Sequence, residues 1–177
     1  MSDNKLSVLI IYHKDCTDGS FAAYFLKKVY PDGEFMSFKH VENNNNHVNC
    51  EIFNDRVIIC VDYIFTRPIM EIMLEKAKHI TIIDHHRSSI YLAGIKNPKL
   101  EFVLDYTKCA SELVLNKYAH IIKPSEHMKN IVSCVSDRDL YLWRYPNSRY
   151  ISDALFSLKI YSIDTIDKAY DYSIDRL

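Results

Sequence analysis

The chemistry-bearing side chains of this sequence fall in four short groups: His13-Lys14-Asp15-Cys16-Thr17-Asp18, then Asp62, then Asp84-His85-His86, and last Asp137 and Asp139 on either side of Arg138. They are carboxylates and imidazoles. Carboxylates crowded into a cleft repel one another and lose hydration, so cations must accompany them. Oxygen ligands with one or two imidazoles and no thiolate suit Mn²⁺, Fe²⁺, Co²⁺ or Mg²⁺ better than structural zinc. Two such ions sharing a bridging carboxylate, about 3.5–4 Å apart, activate a water and stabilise both the attacking and the leaving oxygen of a phosphoryl displacement. The expected chemistry is hydrolysis of a phosphate ester or anhydride.

The groups need elements that bring them together. Residues 6–12 form a nearly continuous, β-branched apolar run, the pattern of a strand buried on both faces of a parallel sheet. Phe21, Ala22, Phe25, Leu26 and Val29 then recur at helical spacing over 20–29, until Pro31-Asp32-Gly33 stops them. Strand, polar loop and helix open an α/β fold. Further strands are expected at 34–41, 57–61, 80–83 and 101–104, with helices at 68–77, 110–118 and from Pro124 to about 135, and the Asn-rich 43–46 as an exposed turn. From Ser148 onward the pattern predicts two helices parted near Ser162. The fold class is therefore one open, mostly parallel sheet flanked by helices, with a short helical tail. In such a sheet the loops at the carboxyl ends of the strands share one edge, so polar groups distant in sequence converge there.

Composition narrows the rest. At 177 residues the chain is one domain with at most a short appendage, and 48% hydrophobic content suffices for an ordinary core. With 22 basic and 23 acidic side chains, the formal charge of −1 disfavours long nucleic acid or an anionic membrane as partner. Three glycines, Gly19, Gly33 and Gly94, cannot make a dinucleotide or P-loop phosphate cradle. Five cysteines without a CxxC pair indicate neither a disulfide framework nor a zinc module. The first apolar run is too short for a secretory core or a membrane span, which leaves a cytoplasmic protein with reduced thiols as the expectation.

Taken in order, the four groups resemble the motifs of the DHH phosphoesterases, a family named for the tripeptide that stands here as Asp84-His85-His86. Motif I is similar to His13-Lys14-Asp15-Cys16-Thr17-Asp18-Gly19, motif II to Asp62 within Val61-Asp62-Tyr63, and motif IV to Asp137 within Ser136-Asp137-Arg138-Asp139-Leu140. Ala110-Ser111-Glu112-Leu113-Val114 looks like a helix start of the family. The resemblance spans residues 8–140 and implies a catalytic α/β domain at 1–145 with a helical extension at 146–177. It implies two ions, usually manganese, with Mg²⁺ or Co²⁺ as substitutes. His13 and Asp15 would hold one, Asp18, His85 and Asp137 the other, and Asp62 would bridge them. Asp84 would orient His85, while His86 and Arg87 would face substrate phosphate.

The HxDCxDG spacing resembles a subgroup that includes exopolyphosphatase-related proteins and oligonucleotide phosphoesterases. The implied activity is metal-dependent hydrolysis of a small phosphorylated substrate: a short oligonucleotide, a cyclic dinucleotide or polyphosphate. Many members carry a C-terminal substrate-binding domain with a glycine-rich motif, whereas no glycine follows Gly94 here. The alternative is a shortened DHH-fold protein that binds metal or nucleotide, inactive alone or completed by a homodimer or another partner.

Each residue also has a plainer reading. His13 can be a turn histidine, Asp62 a cap, and Asp84-His85-His86 a solvated turn. Either of Asp137 and Asp139 can pair with Arg138 or Arg144, and Asp137 is preferred as the ligand. Cys16 and Cys109 are read as small buried hydrophobes. Tyr141, Trp143, Tyr145 and Tyr150 are expected chiefly in core or interface packing, with base stacking as the other reading. Lys14, Arg87 and Lys108 are candidate phosphate contacts, and His40, His47, His79, His120 and His127 are taken as ordinary.

Overall fold

A computed structural model describes residues 7–39 and 48–171. The Asn-rich turn at 43–46, the end of the second predicted strand, His40, His47 and the last residues of the tail lie outside the described residues. Five strands, β1 (Val8–His13), β2 (Glu34–Phe38), β3 (Val57–Val61), β4 (His79–Asp84) and β5 (Leu100–Leu104), form one sheet in the order β2-β1-β3-β4-β5. Every pairing is parallel, with Ile10 opposite Ile59 and Ile59 opposite Thr81 across the centre.

The strand sequences are apolar throughout because both faces are covered. Leu9, Ile11, Ile58, Cys60, Ile80 and Ile82 pack on one face with helix α2 (Arg67–Lys76) and two 3₁₀ turns at Cys50–Phe53 and Arg87–Gly94. Ile10, Ile59, Val61 and Ile83 point to the other face, the period-2 consequence of the pleat. That face carries α1 (Thr17–Val29), α3 (Ala110–Lys117) and α5 (Glu126–Asp139), with the short α4 (Ala119–Ile122) between the last two.

The tail consists of α6 (Ser148–Ser157), a 3₁₀ turn at Ile163–Thr165 and α7 (Asp167–Asp171). Its Ile151, Leu155, Ile160 and Ile166 enter the same core as α1 and α5. Ser20 Oγ donates to the Tyr161 carbonyl at 2.7 Å, and the Tyr24 hydroxyl donates to Asp167. No helix among the described residues is long and apolar enough to cross a membrane.

Between β1 and β3 the strand order reverses: β1 leads out to β2 on one side, and the chain returns to place β3 on the other. Loops leaving β1 and β3 therefore diverge and open a crevice at the carboxyl edge, where ligands bind in open α/β sheets. His13 ends β1 and Asp62 immediately follows β3.

Candidate metal centre

Four segments converge on that crevice. Asp62 takes a left-handed backbone conformation, φ 54°, directly after β3, and its amide donates to the Ile83 carbonyl of β4 at 3.1 Å. Aspartate is among the few non-glycine residues that adopt this conformation readily, and here it turns the chain at the sheet edge. Gly19 lets α1 start against the end of β1. A Cβ there would lie 2.8 Å from the His13 carbonyl oxygen and 3.0 Å from Asp62 Oδ2.

Asp18, in the first turn of α1, is buried and accepts from the Ala110 and Ser111 amides at 2.8 and 2.7 Å. The start of α3 thus fixes the carboxylate with two amides that have no partner within their own helix. His85, just after β4, brings its Nε2 within 3.3 Å of Asp62, 3.6 Å of Asp18 and 3.2 Å of Asp139. His86 Nδ1 is 2.8 Å from Asp84 Oδ1 and 3.8 Å from Asp62 Oδ1. His13 Nδ1 is 3.4 Å from Asp62 Oδ2.

Ligand atoms within 4.8 Å of one another form three overlapping groups: Asp62 with Asp84, His85 and His86; Asp18 with His85 and Asp139; and His13 with Cys16 and Asp62. Asp62 belongs to two groups and His85 to two. Asp62 Oδ2 and Asp84 Oδ2 are buried without a hydrogen-bond partner. Buried carboxylate oxygens rarely stay unsatisfied, so two in one crevice fit a hard cation better than a closed polar network.

The electrostatics agree. Burial alone would push the Asp62 carboxyl up, yet the His13 and His85 imidazoles hold it well below the usual range. Burial and the neighbouring Asp62 push Asp18 up. Burial, with Asp18 and Asp62 beside it, raises Asp139 to about 7. For His85, burial opposes the charge, but Asp62, Asp18 and Asp139 outweigh it and lift the imidazole to about 9. His86 is raised by its hydrogen bond to Asp84. The raised His85 and His86 imidazoles thus supply positive charge beside the carboxylates, a role that divalent ions would fill more fully.

Of the residues expected in the site, His13, Asp18, Asp62, Asp84, His85 and His86 come together. Asp137 does not. The helix that was expected to end near residue 135 runs through Asp139, and two residues along a helix are turned about 200° apart, so one aspartate of the pair at most faces the crevice. Asp139 does. Asp137 faces the following loop, where it accepts from the Arg144 and Tyr145 amides at 2.9 and 3.1 Å.

Asp15 is outside the clustered ligand atoms: it lines the cavity beside Asp18 and Asp139, but at φ 56° in the turn after β1 its carboxylate is exposed and paired to Lys39 at 2.9 Å. Asp84 bonds His86 rather than His85. Arg87 is exposed at the start of its 3₁₀ turn, and Lys108 lines a separate cavity with Arg144 and Glu112. The aromatics expected in packing are exposed as well, Tyr141 at 74% and Trp143 at 48%. Both have left-handed backbones, φ 55° and 53°, in the loop that Asp137 pins, and the bends carry them off the core.

Cys16, read from the sequence as a small buried hydrophobe, stands against the cluster. Burial, with Asp62 and Asp18 close by, pushes its thiol up, and its sulfur faces His13 and Asp62. Its position inside the first motif was the available signal.

No protein-family model matches the chain, and no curated protein matches it. Among solved structures, the fold is similar to the crystal structure of an uncharacterized protein from Helicobacter pylori G27, with a TM-score of 0.63 and 18% identity over 78% of this chain and 45% of that one. The chain thus spans less than half the length of that protein. At this identity the likeness shows the shared α/β fold.

Proposed function

We propose that the protein is a metal-dependent phosphohydrolase of the DHH type, which cleaves a phosphodiester or phosphoanhydride bond of a small substrate. The observation that carries this reading is the convergence of Asp18, Asp62, Asp84, His85, His86 and Asp139 at one sheet edge, with two buried carboxylate oxygens outside any hydrogen bond, one of them 3.4 Å from His13 Nδ1. Asp62 would be shared between ions, since it stands in two of the three ligand groups. Asp18, His85 and Asp139 would complete one side, with His13 on the other. Manganese suits this oxygen and imidazole set, with Mg²⁺ or Co²⁺ as substitutes.

Divalent ions held there supply positive charge that polarises a phosphoryl group and lowers the pKa of a water. The chain's own residues do the positioning. Asp84 fixes the His86 ring through Nδ1 and so holds the imidazole beside the cluster, where it would face substrate phosphate. The start of α3 holds Asp18, and the sheet edge holds Asp62, so neither carboxylate must reorganise when charge develops. The five free cysteines, none paired, fit a cytoplasmic setting.

The test is release of phosphate or nucleotide by the purified chain with added Mn²⁺, across dinucleotides, cyclic dinucleotides, pyrophosphate and polyphosphate, beside Asp62→Ala. Release by wild type alone is expected. Equal release by Asp62→Ala would place the chemistry elsewhere. The exposed Tyr141, Trp143 and Tyr150 favour a second reading, a DHH-fold binding protein whose cleft is completed by a homodimer or partner. That reading requires Mn²⁺ uptake without turnover, and a mass by light scattering that rises when ligand or partner is added.

A further inference from the structure

A cavity of about 220 Å³ opens beside the Asp18 and Asp139 end of the crevice, and α6 forms its far wall. Two side chains of that wall serve no purpose in holding ions. Ser152 Oγ is buried and has no hydrogen-bond partner. Phe156, one helical turn later on the same face, lines the cavity while 73% exposed. Its ring centroid lies 6.0 Å from that of Tyr161, which braces it from behind the helix end. From the opposite side, Arg138, exposed on the last turn of α5, presents its side chain to the same space. Meanwhile Ile151 and Leu155 anchor α6 in the core, so the wall is fixed.

We infer that α6 is a specificity wall that selects a phosphoryl compound bearing a flat heterocycle, with Phe156 stacking on the base, Ser152 bonding sugar or phosphate oxygen, and Arg138 holding a phosphate away from the ions. This rests on the proposed hydrolase reading and narrows its substrate from any small phosphate compound to a nucleotide or short oligonucleotide. The cavity is smaller than the about 300–1,000 Å³ that encloses a whole drug-sized ligand. It accommodates a phosphoryl end, and the rest of the substrate must lie at the mouth, where Phe156 stands. An inorganic anhydride has no apolar surface for an aromatic ring to cover. A nucleobase has two, and stacks on aromatic side chains with little dependence on its identity. A ligand oxygen that reaches the buried, unpartnered Ser152 hydroxyl relieves the cost of leaving it unsatisfied.

The test is equilibrium binding of 5′-AMP and of pyrophosphate by titration calorimetry, in buffer with and without Mn²⁺, to the full chain and to Phe156→Leu, Phe156→Tyr and Ser152→Ala. Phe156→Leu keeps an apolar side chain but loses the ring; it is expected to weaken AMP about tenfold and to leave pyrophosphate within about twofold. Phe156→Tyr restores AMP binding, which a merely structural role would not require. Ser152→Ala weakens AMP about threefold. The inference is overturned by unchanged AMP affinity in Phe156→Leu, by equal weakening of both ligands, or by no AMP binding in either buffer. Mn²⁺-dependent release by wild type judges the hydrolase reading separately. Hydrolysis without ring-dependent AMP binding removes the wall alone. Ring-dependent AMP binding without hydrolysis of any substrate removes the hydrolase and leaves the wall standing.

Discussion

Asp137 and Asp139 are chemically identical, two positions apart on the last turn of α5, and the backbone gives them different work. Asp137 is fully buried and satisfies two loop amides, so removing its carboxylate leaves Arg144 N and Tyr145 N without their acceptor. That loss costs about 1–3 kcal/mol, and for a chain of this size about 2–4 °C of melting temperature accompanies each kcal/mol. Asp137→Ala is therefore expected to lower the melting temperature by several degrees in calorimetry while Mn²⁺ affinity, measured on the folded protein, changes little. Asp139→Asn should do the reverse. It removes one of the carboxylates that crowd His85, so the metal-free protein melts no lower than wild type, while Mn²⁺ affinity falls by more than the about 10–100-fold typical of an outer partner. If Asp137→Ala lost metal and Asp139→Asn kept it, the assignment of the two would have to be exchanged.

The elements make these placements, and one close approach controls them. Gly19 sits where α1 meets the end of β1, and a Cβ there would fall 2.9 Å from His13 Cβ as well as against Asp62 Oδ2. Because both neighbours belong to the proposed metal cluster, Gly19→Ala is expected to weaken Mn²⁺ binding at least tenfold while circular dichroism keeps the wild-type helix content. Gly94→Ala is the control, since a Cβ there meets nothing within 4 Å. Normal Mn²⁺ uptake by Gly19→Ala would show that the approach is looser than drawn. The strands and most helices were readable from the sequence, because a parallel sheet covered on both faces leaves continuous apolar runs at 57–61 and 80–83. Convergence of motifs from separate loops followed from the same pattern. Hidden from it were features set by the end of α5. Ser136-Asp137-Arg138-Asp139 looks polar enough to be a loop, yet Asp137 and Ser136 are buried through tertiary partners, Ser136 through its hydrogen bond to Glu112. The exposed aromatics misled for a related reason: hydrophobic type predicts burial on average, but the left-handed turns at Tyr141 and Trp143 come from that loop's backbone bonding. The departure of Asp15 depends on Lys39, distant in sequence, and no local pattern records it.

At the scale of the whole molecule, the cluster is a load on the metal-free fold. Asp18, Asp62, Asp84 and Asp139 are drawn from four segments of chain into one crevice at the point where strand order reverses. Burial and repulsion oppose the charges of Asp18 and Asp139, and His85 only partly compensates. An ion held by Asp18, Asp62, His85 and Asp139, as proposed above, would tie together the segments that carry them, and it would favour the native arrangement because the unfolded chain holds no such cluster. Linkage then requires that metal stabilise the fold, by about 2.7 kcal/mol when free metal is about 100 times its dissociation constant. At about 2–4 °C per kcal/mol, added Mn²⁺ should raise the melting temperature by about 5–11 °C, and EDTA should return it to its starting value. Asp62→Ala removes the carboxylate common to two of the ligand groups, so its melting temperature should respond to Mn²⁺ by less than half as much. Ca²⁺ offers a further discrimination, because it favours six to eight oxygens and this crevice supplies imidazoles. A melting temperature indifferent to Mn²⁺ at every concentration would mean that the imidazoles alone settle the cluster, and the carboxylates would then have to be explained as a charge network without an ion.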